Sequence, residues 1–400
     1  ASVEVSGTKA ALHPSRPSAR GDALWIIGLA CIYFIAALLS LSFEYREGIA
    51  VVCIPSGIFL PALLRTRKDL RPYLTLALGL ADVVAERVSG APWVVSAIYA
   101  LAMTSDAVIG ATLLEYFVGD VVRFNRARTV GLWLTLSVVL GNFLASMLAA
   151  AGASLMTVGG SFLIHWVRWA ASDGVGNLLV TPLVLSWAEW IRHRRGSFSR
   201  KVEGVALTGL MCALVVGLFT AFADHSLFAM FLPYVLLPFL MWAALRFETI
   251  GVSTALVVFA AIAVPLTATG VVSSFSSAAG RLDDVIVLQL LLAITAVPAL
   301  LLAAVVAERR QAQAARLDSQ AMFSLTFQSS PIAMSLVSTD DGRFVDVNEA
   351  FLAVSGWPRS EVIGRTTADL GFYEDRADRD RLVDQAMKRA AWRGWRARLS

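Results

Sequence analysis

Ten stretches of this chain stay apolar for about the thickness of a lipid bilayer, and nothing else in the sequence limits its folding as strongly. An α-helix of about 20 such residues crosses the hydrocarbon core. Blocks of this kind lie near residues 23–43, 49–64, 70–87, 93–118, 129–151, 161–190, 203–222, 228–246, 249–270 and 284–306. Lipid offers no hydrogen bonds, so each backbone group must be paired within the protein, and the blocks are expected to be helices packed as a bundle. Composition supports this: 57% of the 400 residues are hydrophobic and 16% charged, against about half and a quarter in soluble domains. The expected fold is mainly α, a polytopic transmembrane bundle of about ten spans, or eight if weak blocks merge. A soluble α/β region follows it. Residues 1–22, with Pro14 and Pro17, read as a disordered cytoplasmic lead, 23–306 as the membrane domain, 307–322 as a helical connector and 323–400 as the soluble domain.

Alternate connections are basic: Lys9, Arg16 and Arg20; then Arg65, Arg67, Lys68 and Arg71; then Arg123, Arg126 and Arg128; then Arg192, Arg194, Arg195, Arg200 and Lys201. The opposite connections hold only Arg46, Arg87 and Arg281. The positive-inside rule therefore predicts both ends of the membrane part in the cytoplasm. The second block is short and contains Pro55, so it is expected to be bent or re-entrant. Cys31, Cys53 and Cys212 lie in apolar blocks without CxxC spacing and read as core filler rather than as metal ligands or disulfides. The net charge of +4 comes largely from loops between spans, so it reports topology and gives no reason to expect a nucleic-acid partner.

The sixth block carries groups that lipid should reject. In "HWVRWAASDGVGNLLVTP", His165, Trp169, Asp173 and Asn177 recur every fourth residue and so share one helix face, with Arg168 on the next strip. Asp82 and Glu86 are likewise four apart in the third block, and Asp106 lies in the fourth. An ionised side chain at mid-bilayer costs about 3 kcal/mol, so Asp82, Asp106 and Asp173 would together cost about 9 if they faced lipid. They must face protein or water. One reading is a structural cluster in which Arg168 pairs with an acid. The other is a pocket for a small ligand, a cation or protons, favoured because one Arg cannot neutralise four carboxylates.

After the last span, "AERRQAQAARLDSQAMFSL" continues as a polar helix, with Ala307, Ala314, Leu317 and Ala321 at heptad-like spacing interrupted by Arg310. It suits a dimeric connector or a solvated single helix equally. Next, "PIAMSLVSTDDGRFVDVNEAF" predicts two strands around a turn at Asp341–Gly342, then a helix capped by Asn348. "SGWPRSEVIGR" predicts a short helix closed by Gly364, followed by a charged amphipathic helix over 375–389 and the start of a further strand in "GWRARLS".

The run "DGRFVDVNEAF" followed by "SGWPRSEVIGR" resembles a PAS domain, which implies a curved antiparallel sheet used as a sensor or relay. The last two strands of that sheet are missing, so the chain is expected to be a piece of a longer protein. No His or Cys lies in this segment, so no cofactor is expected: haem would lack a His ligand and a covalent flavin adduct its thiol. Met322, Met334 and Met387 read as packing. The stretches "PSGIFLPALL", "WVRWAASDGVGNLLVTPLVLSW" and "LPYVLLPFLMWAALRF" together resemble the membrane-associated sensor (MASE) domain, type 1. That likeness implies a bacterial inner-membrane input module placed before a histidine kinase or before cyclic-di-GMP enzymes. It places Asp173 and Asp106 where the family tends to be polar or acidic.

The chain is thus expected to be the input region of a signalling protein and to catalyse nothing itself. A ligand set of Asp173, Arg168, Asn177, Asp106, Asp82, Glu86, His165 and Trp169 is expected, without a metal. The expected partners are the lipid bilayer, a second copy through the connector and PAS domain, and an unidentified small ligand, ion or membrane partner. The rival reading is a transporter with a regulatory tail, suggested by the intramembrane acids, the Pro-interrupted spans and a faint echo between 54–65 and 232–246. A purely structural anchor is the third reading.

Overall fold

The computed structural model describes residues 19–45, 49–119, 122–156, 161–193, 198–221, 226–268, 281–371 and 381. Two compact units divide at residue 310: Ala1–Arg310 and Gln311–Ser400.

The first unit is helical. Its elements are α1 (Ala19–Ser42), a two-strand hairpin of β1 (Glu44–Tyr45) and β2 (Ile49–Ala50), α2 (Ile54–Arg65), α3 (Arg71–Val88) and α4 (Trp93–Val118). A rod of α5 (Ala127–Trp133), a π-helical segment (Leu134–Gly141) and α6 (Asn142–Met156) follows, then α7 (Phe162–His193), α8 (Phe198–Ala221), α9 (Ser226–Ala268) and α10 (Arg281–Ser329). Among the described residues each of the ten apolar blocks includes a helical segment, two of them on α9, and the second block starts non-helical. That helix breaks at Glu248, whose φ of 59° and ψ of −147° are not helical. A non-glycine residue in that region is strained, and here Arg310 holds the Glu248 carboxylate at 3.0 Å.

Five helical rods are long and apolar enough to cross a membrane, among the described residues. The acid-bearing α3 and α7 fall outside that set, and α2 is only 12 residues long. In α3 the stripe Leu74, Leu78, Asp82 and Ala85 is buried while Tyr73, Leu76, Leu80 and Val84 are exposed. Large apolar residues on the outside and a carboxyl inside invert the pattern of a soluble protein. This is a membrane protein. One end of the bundle is fastened by ion pairs of the basic connections: Arg67 with Asp22, Arg71 with Glu115, Arg123 with Glu189, Arg246 with Glu203 and Arg310 with Glu248. The connections that are rich in Arg therefore share one face of the bundle.

In the second unit α10 runs to Ser329, past the connector boundary expected at 322. Ala307, the first residue of the expected heptad seam, is buried in the bundle, whereas every residue from 308 to 326 is exposed. β3 (Ser335–Val337) pairs antiparallel with β4 (Phe344–Val347) around Gly342, at a φ of 68°. Asn348 caps α11 (Glu349–Ser355), accepting from the Phe351 N–H at 2.9 Å, and α12 (Arg359–Val362) leads to Gly364. Phe344, Val347, Val362 and Leu370 form its core. The amphipathic helix expected over 375–389 and the last strand lie outside the described residues.

Candidate functional site

The second span is made of two different conformations. Residues 50–53 are non-helical, with a bend at Val51–Val52, and α2 begins only at Ile54. Pro55 explains the break: it lacks an N–H and disfavours helical geometry in the residue before it, yet suits the first turn of a helix. Non-helical backbone at membrane depth persists only if its polar groups are paired within the protein. Here side chains and neighbouring backbone pair them. Ser172 Oγ donates to Ala50 O at 2.7 Å, and Gln289 Nε2 on α10 donates to Val51 O at 2.8 Å. Cys53 N–H donates to Ser172 O at 3.2 Å, and Ile54 N–H to Ser40 Oγ at 3.0 Å.

α2 lies hard against α7. A Cβ added at Gly176 would sit 1.8 Å from Cys53 O, and one at Gly57 would sit 2.5 Å from Gly176 O. Only glycine allows the two backbones to come this close. Ser56 Oγ lies 3.0 Å from Asp173 O, and Thr181 Oγ1 lies 3.2 Å from Gly57 O.

Beside the start of α2 is a small cavity of about 40 Å³, whose wall includes Ser40, Cys53, Asp82, Glu86, Trp169 and Asp173. Tyr33 Oη donates to Asp82 Oδ1 at 2.9 Å, and Cys53 and Asp173 share the cavity wall. Each acid keeps one oxygen, Asp82 Oδ2 and Asp173 Oδ1, without a hydrogen-bond partner, and so does the Trp169 indole N–H. These three side chains are at most 7% exposed. Trp169 packs on Tyr99 with ring centroids 4.7 Å apart.

Four of the eight residues expected from sequence, Asp82, Glu86, Trp169 and Asp173, therefore line one cavity. The other four do not. Asn177 is buried elsewhere, with Ser137 Oγ at 3.2 Å and Thr181 Oγ1 at 2.7 Å. Asp106 packs against Gly141 at the end of the π-helical segment, where an added Cβ would come within 3.0 Å of its Oδ1. His165 is buried and Arg168 half-buried, both off the cavity wall. A common face on α7 did not make one site, because different helices cover its two halves. Cys31 is exposed, which corrects its reading as core filler, whereas Cys53 packs against a buried core cluster and also lines the cavity.

Tyr33, Ser40, Cys53 and Gln289 escaped the sequence reading. Tyr33 and Ser40 carried a signal, a seven-residue spacing within α1 that includes buried Ala37 and puts both on its inner face. Gln289 carried another, as a lone amide in an apolar block. No group of three or more His, Cys, Asp or Glu could hold a metal ion, among the described residues.

The MASE1 family model matches residues 23–310, and the PAS fold model matches residues 321–398. No curated protein matches the chain, and no solved structure does.

Proposed function

The chain belongs to the MASE1 family and continues into a PAS fold, and from that premise we propose that it is the input region of a bacterial inner-membrane signalling protein, with its basic face and PAS unit in the cytoplasm. MASE1 followed by PAS is a sensory, non-catalytic arrangement. The output it serves is a histidine kinase or a cyclic-di-GMP enzyme, as the family resemblance implies.

One observation carries the reading. The helix that leaves the membrane unit is α10, continuous from Arg281 to Ser329, and its Gln289 holds Val51 O in the non-helical segment beside the cavity. A change of packing at the cavity thus reaches the outgoing helix through one buried hydrogen bond. A ligand shifts an equilibrium only by its differential affinity for two states, and on this reading the element that changes state is the non-helical segment with its Gln289 tether. Residues 308–326 are exposed all round, with Leu317, Met322 and Leu325 more than half exposed. That favours pairing with the same helix of a second copy, in a seam that starts beyond Ala307.

The test is a fusion of the full chain to a kinase or cyclase reporter. Inserting one to three residues after Gln313 rotates everything downstream by about 100° per residue and is expected to reset output, and seven residues to restore it. Gln289→Leu is expected to fix output at one level. Output indifferent to insertion length and to Gln289→Leu refutes the relay. The interrupted second span also favours a carrier, since transporters place such breaks at their sites. That reading requires substrate flux in proteoliposomes.

A further inference from the structure

A groove of about 710 Å³ lies on the outside of the bundle, between α3 and α4. Sites for small ligands have volumes of about 300–1,000 Å³. The sequence accounts for its shape. Ala97, Ala100, Thr104 and Ala111 follow one another by three, four and seven residues, so they share one face of α4. Gly79 stands opposite on α3, where an added Cβ would lie 3.3 Å from Thr104 Oγ1. Small residues at these positions leave a furrow flanked by Leu76, Leu80 and Leu101, each more than half exposed.

From Arg71 to Val83 the groove follows α3 for about 18 Å, at about 1.5 Å per residue. The hydrocarbon of one leaflet is about 15 Å deep, half of the bilayer core. An acyl chain lying along α3 therefore matches its length. Lys68 and Arg71, both at the start of α3, are the charged residues on the groove wall, and no acid accompanies them there. Lys68 is exposed. Among the described residues Arg71 uses three of its five N–H donors, one on Thr66 O and two on Glu115, so two can serve a phosphate.

Charge decides between the occupants. A purely apolar molecule would bring no anion to the two cations. A helix of a second copy, in the same membrane orientation, would bring its own basic connections to the same level and set like charges together. Basic pockets between transmembrane helices instead suit anionic headgroups. We propose that the α3–α4 groove binds an anionic phospholipid from the leaflet at the basic face, with one acyl chain along Gly79 and Ala100 and the phosphate at Lys68 and Arg71. The groove shares no lining residue with the cavity beside α2, and its lipid binds whatever output the chain serves.

The experiment is native mass spectrometry of the full chain, released from vesicles holding equal amounts of phosphatidylglycerol and phosphatidylcholine with matched acyl chains. The parent is expected to retain phosphatidylglycerol in preference to phosphatidylcholine. Lys68→Gln is expected to lower that preference about fivefold, the effect of one basic residue at an anionic lipid surface. Thr112→Phe, at an exposed position on the groove wall, puts a ring into the groove and is expected to abolish the retained lipid. Circular dichroism reports whether each variant folds. If Thr112→Phe does not, Ala97→Phe obstructs the other end of the groove, with the same expected loss. Equal retention of the two lipids by the parent overturns the proposal, as does a preference untouched by Lys68→Gln or a retained lipid unchanged in the folded Phe variant. So does a lipid-free dimer that Thr112→Phe splits, which would give the groove to a second copy.

Discussion

Gly176→Ala tests the contact on which the interrupted span depends. The added methyl would lie 1.8 Å from Cys53 O and 2.8 Å from Ser56 Oγ, so α2 and its non-helical lead must move away from α7. Four hydrogen bonds cross that contact: Cys53 N–H to Ser172 O, Ser172 Oγ to Ala50 O, Ser56 Oγ to Asp173 O and Thr181 Oγ1 to Gly57 O. Interhelical bonds in membrane proteins contribute about 0.6 kcal/mol each, so losing all four costs about 2.4 kcal/mol. Forcing a methyl into a packed interior adds about 1–3 kcal/mol, and replacing a helical glycine returns up to about 1 kcal/mol. The expected loss is about 2–5 kcal/mol. The assay is SDS-induced unfolding from mixed micelles, with Gly209→Ala as control, because nothing lies within 4 Å of a Cβ placed there. The control is expected to be neutral or slightly stabilising. If Gly176→Ala unfolds with the parent, the close α2–α7 contact is wrong, and the account of the non-helical segment goes with it.

Other perturbations test separate parts of the chain. Asn348→Ala removes a fully buried side chain that accepts from the Met334 and Phe351 N–H groups and donates to Ile332 O. Losing the cap and orphaning those groups is expected to cost about 2–4 kcal/mol, read as faster hydrogen exchange over residues 332–355. Arg71→Met breaks a two-bond pair with Glu115, at 2.9 and 2.5 Å. Side-chain exposures of 21% and 14% put the cost below the about 3–5 kcal/mol of a fully buried pair, at about 1–3, checked in the same unfolding assay. In the PAS unit the Thr366 N–H and hydroxyl hold the Asp369 carboxyl below its ordinary value. Its stabilisation is therefore present above the unfolded value of about 3.9 and is lost as pH falls through the folded one. Protection of the Thr366 amide, with intrinsic exchange corrected for pH, should drop in acid in the parent and stay level in Asp369→Asn.

Much of the architecture follows from local sequence. The apolar blocks became helices because only a closed hydrogen-bonding scheme survives in lipid, and Pro55 marked the broken span because its ring excludes helical geometry just before it. Asn348 was legible as a cap from one side chain and the apolar run after it. The π-helical segment over 134–141 had no such signal, since its extra residue per turn depends on what packs against Ser137 and Gly141 rather than on local preference. The ion pairs joining basic connections were equally hidden, because each unites residues more than 40 positions apart.

The acids were conspicuous because a carboxyl in an apolar block is costly wherever it lies, and one helix period placed His165, Trp169, Asp173 and Asn177 on a common face. Sequence by itself thus determined that this face is buried. Which of its residues share a cavity with Asp82 was decided by tertiary structure: Trp169 and Asp173 line it with the start of α2, whereas Asn177 bonds Ser137 and Thr181. The close contact at Gly176 brings Cys53 against α7, and the packing of α10 brings Gln289 to Val51. Helix periodicity carries information over a few turns, whereas a cavity forms where several helices meet, and which helices those are depends on steric fits between residues over a hundred positions apart.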